Sequence, residues 1–255
     1  MKKIDLHVHT NYSFDCNCTM QDQIKSAIDK NVGVICFCDH VENSRLCNTL
    51  DGFPFLKRQD EFFNLREKYK KDILVLLGFE LGEPSRHKEY YTALRGLHCD
   101  MLIGSCHFAL DKYFWSKEVE DSFVTCKEHN QDVAEILLGG DFDVLGHADL
   151  PKRYFWGANY FEDEEKIKDN MRLCVEKGIV PEINCSPLKR GVPQPCPSLK
   201  YIQNYVNCGG KYVTISSDAH KSCDVAQFYD EIFEQLPKEI KLCYFQNRKL
   251  VPFLD

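Results

Sequence analysis

The chain has 255 residues, a mass of 29.7 kDa and 44% hydrophobic residues, which is enough to bury the core of one large α/β domain. The net charge of −7 and the interspersed acidic and basic residues give no basic footprint, so we expect no nucleic-acid partner. No apolar stretch reaches the roughly 20 residues that cross a bilayer, and Met1–Asp5 has no apolar leader, so we expect a cytoplasmic protein without membrane contact.

Short apolar runs alternate with amphipathic segments along the whole chain. The runs predict seven β-strands, at 3–10, 34–38, 73–77, 101–105, 144–145, 179–183 and 212–215. Apolar residues at helical spacing predict helices at 21–31, 58–69, 84–93, 123–138, 164–177, 198–207 and 225–236. Segments 41–57 and 111–121 are predicted to be long loops. The strand–helix alternation implies a parallel sheet, and we expect one domain, 1–255, folded as a distorted seven-stranded (β/α)7 TIM-like barrel.

Residue types that bind metals recur at the ends of these predicted strands. His7 and His9 lie two apart in the first strand, so their imidazoles point to the same face. Because the carboxyl ends of parallel strands meet at one mouth, we expect the strand-end side chains to converge there on a metal site. The candidate ligands are His7, His9, Asp15, His40, Glu80, His107, His147, Asp218 and His220, and Glu182 and Asn184 also lie in a strand.

The metal hypothesis rests on the number of these residues and not on any one of them, because a single histidine at a strand end is usually an ordinary polar residue. Asp15 could equally serve the turn after Ser13. The remaining histidines, His87, His98 and His129, lie in helical or polar contexts, so we expect them at the surface.

Imidazole and carboxylate ligands suit zinc, manganese or iron. Nine ligands exceed the needs of one tetrahedral ion, so we expect two or three divalent ions that share a bridging carboxylate. Clustered ions of this kind activate water and clamp the oxygens of a phosphoryl group. A separate cysteine zinc site at Cys16, Cys18, Cys36 and Cys38 is disfavoured, because the Cys-x-Cys spacing is not that of structural zinc sites. The 14 cysteines instead suggest free thiols in a reducing compartment.

Six motifs between residues 5 and 220 make the chain resemble the PHP (polymerase and histidinol phosphatase) family. They are Asp5-Leu-His-Val-His-Thr10, Cys38-Asp-His40, Gly78-Phe-Glu80, Gly104-Ser-Cys-His-Phe108, Gly146-His-Ala-Asp149 and Ser216-Ser-Asp-Ala-His220.

The resemblance implies a distorted seven-stranded barrel with a trinuclear site. One ion would be held by His7, His9, Glu80 and Asp218. Glu80 would bridge to a second ion, held by His107 and His147, and the third would be held by Asp15, His40 and His220. The residues expected to act in catalysis are His7, His9, Glu80, Asp218 and His220.

The stretch from Gly146 to Tyr154 is similar to the histidinol-phosphatase branch of the family, in which an arginine meets the substrate phosphate. Arg153 is therefore the first phosphate-binding candidate and Arg190 the second, since a guanidinium can donate hydrogen bonds to two phosphate oxygens at once. Either residue could instead be an ordinary solvated loop arginine. Cys38 departs from the family pattern, in which threonine is common at this position, and this makes the identity of the substrate less secure.

The leading hypothesis is a metal-dependent phosphomonoesterase that acts on L-histidinol phosphate in histidine biosynthesis. An alternative is a PHP phosphatase for another small phosphoester, such as a nucleotide or sugar phosphate. A metal amidohydrolase would need a bridging lysine on the fourth strand, which here ends on His107. A metal-binding module without turnover is the third alternative, and the full ligand set argues against it. The oligomeric state cannot be read from the sequence.

Overall fold

The sheet contains every strand that the apolar runs predict. The computed structural model describes residues 2–44, 47–109, 112–113, 122–157 and 160–254, so most of the predicted loop 111–121 lies outside the described residues. The strands are β1 (Lys3–Val8), β2 (Val32–Val41), β3 (Leu74–Gly82), β4 (Met101–Ser105), β5 (Phe108–Ala109), β6 (Lys112–Tyr113), β7 (Val144–Leu145), β8 (Val180–Asn184), β9 (Tyr212–Ser216), β10 (Lys241–Gln246) and β11 (Lys249–Pro252).

Helices follow most of these strands. They are α1 (Met20–Asp29), α2 (Phe55–Tyr69), α3 (Glu89–Ala93), α4 (Ser122–Gly139), α5 (Lys152–Phe155), α6 (Glu164–Lys177), α7 (Leu199–Asn207) and α8 (Tyr229–Phe233), with 3₁₀ turns at Ser186–Arg190 and Ser222–Asp224. The helix ends follow local chemistry. The Thr19 side chain caps α1 by accepting from the Asp22 N–H, and α6 ends at Gly178 with a φ of 69°. None of the described helices is long and apolar enough to cross a membrane.

The main sheet has nine strands in the order β1-β2-β3-β4-β7-β8-β9-β10-β11. All neighbouring pairs are parallel except the hairpin of β10 and β11. The nine-stranded sheet differs from the expected seven-stranded barrel, because this hairpin adds two strands beyond β9. β1 and β9 approach each other through a bridge between Val8 and Ala219, where the His9 N–H donates to the Ala219 carbonyl at 3.0 Å.

The strands are buried on both faces, as parallel strands covered by helices usually are. In β2, Cys36 and Cys38 belong to the larger core cluster, whereas the alternate residues Ile35 and Phe37 belong to a second cluster with Phe62 of α2. The middle of each strand is therefore used for apolar packing on both faces, and polar side chains lie at the strand ends.

Some predicted elements were wrong. The long helix predicted at 225–236 is only the five-residue α8, because Ala226 and Phe228 adopt left-handed backbone angles, with φ of 52° and 61°. The helix predicted at 84–93 is likewise confined to α3. His129, expected at the surface, is buried on α4 with 1% exposure, and His87 and His98 are partly buried.

Asp100 connects β3 to the turn between β10 and β11, at the end of the sheet opposite the strand-end cluster. Its buried carboxylate accepts the Leu77 N–H, the Asn247 N–H and a contact from His98 Nε2, each at 3.0 Å. Burial raises the pKa of Asp100, but these partners outweigh burial and hold the pKa below its usual range.

Replacing Asp100 by Ala would leave the buried N–H groups of Leu77 and Asn247 and the His98 ring without their hydrogen-bond acceptor. We expect a loss of about 3 kcal/mol in the free energy of unfolding, measured by urea denaturation. Asp141→Ala is the matched control: its side chain is 78% exposed and among the described residues forms one ion pair, with Arg248, so the change should stay within about 0.5 kcal/mol. Equal effects of the two substitutions would contradict the assignment.

Candidate metal centre

The nine predicted ligands converge at the carboxyl ends of the strands. His7 lies in β1 and His9 just beyond it, His40 lies in β2 and Glu80 in β3. The other strand-end residues follow β4, β7 and β9, and Asp15 comes from the loop before α1. Eight of the nine, all except Asp218, fall in four overlapping groups with ligand atoms within 4.8 Å of one another: His9, Asp15, His40 and His220; His7, His9 and Glu80; Glu80, His107 and His147; and His40 and His107 with Glu42. No cysteine joins such a group in the described part of the chain.

The Glu80 carboxylate lies at the centre of the cluster. Its Oε1 is 2.9 Å from His147 Nε2 and 3.1 Å from His107 Nε2. Its Oε2 is 3.0 Å from His40 Nδ1 and 3.2 Å from His7 Nε2. Burial raises the pKa of Glu80, but the surrounding imidazoles outweigh burial and hold it well below its usual range.

Asp218 closes the cluster on the side of β1. Its Oδ1 lies 3.2 Å from His9 Nε2. Burial raises the pKa of Asp218, and His9, Arg153 and the other nearby imidazoles more than offset this, so the pKa is well below its usual range. Asp218 has a φ of 54°, a left-handed conformation that carries a backbone cost in a residue other than glycine.

The hydrogen bonds behind His9 determine which of its ring nitrogens carries a proton. Ser13 Oγ donates its one proton to Asp39 Oδ1 at 3.0 Å and accepts the His40 N–H at 3.1 Å. It lies 3.0 Å from His9 Nδ1, so Nδ1 must be the donor in that contact. His9 Nε2 therefore presents a lone pair to the cluster, as a metal ligand requires.

Glu182 and Glu42 orient two further imidazoles, those of His7 and His107, and neither glutamate was among the predicted site residues. Glu182 Oε1 is 2.8 Å from His7 Nδ1, and Glu42 Oε1 is 2.7 Å from His107 Nδ1. In both pairs a carboxylate behind the ring leaves Nε2 facing Glu80. Glu182 Oε2 also accepts the backbone N–H of His147 at 2.8 Å. Glu182 was recognisable as a ligand type in a strand, whereas Glu42 stands in the segment read as a loop.

Glu83 holds the backbone of the segment after β4. Its Oε1 accepts the N–H groups of His107 at 2.6 Å and Phe108 at 3.2 Å. Burial, reinforced by the nearby charge of Glu42, raises the pKa of Glu83 to about 8. No pattern in the sequence distinguished this glutamate from a surface residue.

Asp15 and His220 form the open side of the cluster. Asp15 Oδ2 is 3.1 Å from His220 Nε2 and 3.7 Å from His40 Nε2. Their side chains are 39% and 27% exposed, whereas those of the inner ligands are almost fully buried. The structure therefore places Asp15 beside the two histidines with which the resemblance grouped it.

A cavity of about 500 Å³ opens onto the cluster, and both predicted phosphate-binding arginines line it. Arg153 donates to Asp218 Oδ2 at 2.7 Å and to Ser186 Oγ at 2.8 Å. The Arg190 guanidinium lies 5.0 Å from the centre of the Tyr154 ring, and Arg153 donates to the Tyr154 hydroxyl at 3.0 Å. Arg153 thus lies directly against a carboxylate of the cluster, and Arg190 lines the same cavity beside Tyr154.

The donor set fits divalent metal ions. Glu80 Oε2 is buried and accepts no hydrogen bond of good geometry from a described residue, although imidazole nitrogens surround it. His7 Nε2 and His9 Nε2 lie 3.1 Å apart, so either one of them carries a proton or a metal ion lies beside them. Without a metal, a proton on His7 Nε2 would satisfy this contact. Burial lowers the pKa of His7, but Glu80 and Glu182 outweigh burial and raise it well above its usual value.

Fold and site together define the class: an α/β protein whose parallel strands end in an imidazole and carboxylate cluster suited to metal ions. Residues 5–186 match the model of the PHP domain, and the chain belongs to that family.

Relatives of similar length carry one recurring name. A probable histidinol-phosphatase of Clostridium acetobutylicum is 28% identical over 256 residues, which cover 96% of this chain and 97% of that protein. A histidinol-phosphatase of Lactococcus lactis is 26% identical over 242 residues, covering 86% and 85%.

Two solved structures share the fold. The histidinol phosphate phosphatase of Lactococcus lactis, crystallised with zinc, L-histidinol and phosphate, superposes with a TM-score of 0.86 at 19% identity and covers 98% of this chain and 99% of its own. A putative histidinol phosphatase of Listeria monocytogenes gives a TM-score of 0.71 at 17% identity, covering 90% and 99%.

Metal binding to this cluster should release protons. The carboxylates that face His107 outweigh burial and raise its pKa to about 10, and the pKa values of His7 and His40 are also raised. These rings are therefore protonated at pH 7.5 in the metal-free protein, and zinc must displace their protons. We expect about one to three protons per chain when zinc is added in weak buffer with a pH indicator.

His87→Ala, whose ring lies outside the cluster, should release the same number of protons. Zinc binding without proton release would show that the imidazoles are already neutral.

Proposed function

We propose that this chain is a metal-dependent phosphomonoesterase that hydrolyses L-histidinol phosphate to L-histidinol and phosphate, a step of histidine biosynthesis. The observation that carries the proposal is the contact between Arg153 and Asp218, at 2.7 Å, in the wall of the cavity. This contact supports Arg153 as the phosphate-binding cation, because it brings the guanidinium directly against the cluster. The full-length relatives named histidinol-phosphatase support the choice of substrate.

We propose that the cluster holds two or three divalent ions, with zinc, manganese and iron as candidates. His7, His9, Glu80 and Asp218 would hold one, Glu80 with His107 and His147 a second, and Asp15, His40 and His220 a third. Three of the four groups of close ligand atoms support this division, and the 3.2 Å contact between Asp218 Oδ1 and His9 Nε2 supports assigning Asp218 to the first ion. Ions bound there would supply Lewis acidity to the phosphoryl oxygens and acidify water. The zinc bound to the Lactococcus lactis enzyme favours zinc among the candidates.

The protein's own residues would bind and orient the phosphate ester. Arg153 and Arg190 would neutralise the phosphate charge, and the Tyr154 ring between them limits their movement. In the reaction the bond between phosphorus and the histidinol oxygen breaks, and water supplies the oxygen of the released phosphate. Glu42, Glu182 and Ser13 keep the imidazoles oriented throughout.

The remaining expectations also stay proposals. The bridge between Val8 and Ala219 supports closure of the sheet into a distorted barrel, and the shared core clusters support a single domain over 1–255. The 14 free cysteines support a reducing, cytoplasmic setting. The partner would be a small phosphate ester. An amidohydrolase would use a bridging lysine on the fourth strand, whereas here the central carboxylate is Glu80 of β3 and the fourth strand is followed by His107, which favours the phosphatase over that class.

Phosphate release from L-histidinol phosphate should exceed release from p-nitrophenyl phosphate and from several nucleotide and sugar phosphates, compared as kcat/KM with added zinc, manganese or iron. Arg153→Ala should lower kcat/KM for L-histidinol phosphate by about 100-fold, because it removes a guanidinium from the phosphate site. His9→Ala should abolish the activity.

Arg172→Ala is the matched control, since Arg172 is 57% exposed on α6 and pairs with Asp169. Bound zinc should be measured in each variant, so that loss of metal is separated from loss of phosphate binding. Weak activity on all the esters would retain the phosphatase and refute the histidinol assignment. No release from fully metal-loaded protein would refute both.

A further inference from the structure

Arg58 has a charged side chain that the proposed reaction does not use. It lies in the first turn of α2 and has 0% exposure. Among the described residues it is the largest side chain that is fully buried. A buried guanidinium is costly unless it is paired and hydrogen-bonded. Its partners therefore indicate what the residue is for.

Arg58 binds the backbone of two neighbouring strands, β2 and β3. Its Nη2 donates to the carbonyls of Phe37 at 3.1 Å and Gly78 at 2.9 Å. The guanidinium lies 4.5 Å from the centre of the Phe79 ring. These contacts fall within three residues of His40 on β2 and within two of Glu80 on β3.

The remaining strong contact of Arg58 leads to the metal centre. Its Nε donates to Asp39 Oδ2 at 2.6 Å, and both side chains are fully buried. Asp39 Oδ1 accepts the Thr10 N–H at 2.6 Å and the Ser13 hydroxyl at 3.0 Å. Ser13 in turn accepts from His9 Nδ1 at 3.0 Å. A continuous row of hydrogen bonds thus connects α2 to His9, behind the ring and away from the cavity.

We propose that Arg58 is a positioning residue for the metal centre, which acts through Asp39 and Ser13 to keep His9 Nε2 directed at the ligand cluster. The inference rests on the proposed function in one respect, that His9 is a metal ligand. Ser13 can either accept from Nδ1 or donate to it, and only the first arrangement leaves the lone pair on Nε2. Arg58 holds the Asp39 carboxylate where it takes the Ser13 proton, and so selects the productive tautomer.

Arg58→Lys tests this role. Lysine keeps the positive charge, but its single ammonium group cannot reproduce the planar guanidinium that binds Asp39 and two carbonyls together. Zinc affinity of the metal-stripped full chain should fall by about 10- to 100-fold, measured by competition with a chromophoric chelator. Excess zinc should restore phosphate release in Arg58→Lys and should not restore it in His9→Ala. Arg66→Lys, on the same helix with its guanidinium 5.7 Å from the Phe62 ring, should bind zinc as the parent does.

Ser13→Ala provides a second test if Arg58→Lys folds poorly, because it leaves the Arg58–Asp39 pair intact and breaks the link to His9. It should weaken zinc binding by a similar factor and change the visible absorption of the cobalt-loaded protein. The double variant should bind zinc no more weakly than the weaker single variant, because both changes interrupt one connection.

Unchanged zinc affinity in Ser13→Ala, or in Arg58→Lys with a lowered Tm, would overturn the inference and leave Arg58 a purely structural residue. Additive losses in the double variant would overturn it as well. Failure of the proposed function gives a different result, since a parent chain that binds zinc but releases no phosphate leaves the positioning test intact. A parent chain that binds no zinc overturns both proposals.

Discussion

One buried carboxylate, that of Glu80, determines how the strand ends can be arranged. Imidazoles from β1, β2 and the segments after β4 and β7 approach its two oxygens. A buried carboxylate needs these positive or polar neighbours, and they need it in return. The relative positions of the strands are therefore tied to electrostatics at the mouth as well as to the apolar core beneath it.

The sequence predicted those parts of the fold and site whose signals are local. The alternating runs located the seven strands of the parallel part of the sheet, and the strand-end residues located the side chains that converge in the cluster, including Glu80 and His147. The hairpin of β10 and β11 was missed because its turn uses Asn247 and Arg248 at positive φ, without the glycine that usually marks such a turn. The last helix was overestimated because spacing does not reveal left-handed backbone at Ala226 and Phe228.

The residues that orient the ligands were harder to predict, for a physical reason. Glu42, Glu83 and Arg58 are charged side chains in segments that look solvent-exposed, and such residues are rarely buried. Their burial depends on partners that are distant in sequence. Glu42, for example, contacts His107, which lies 65 positions further along the chain. The chemistry of the ligands is visible in short motifs, whereas the scaffold that orients them exists only after folding.

The uneven exposure of the ligands has a further consequence. Glu80 and His7 lie beneath the surface, whereas Asp15 and His220 border open solvent. An ion held by the inner residues would have to break contacts with buried side chains before it reached the cavity, and would exchange more slowly than one at the outer edge. An ion held at the outer edge would equilibrate with its surroundings. The occupancy of the outer position would therefore follow the metal available to the cell more closely than that of the inner position.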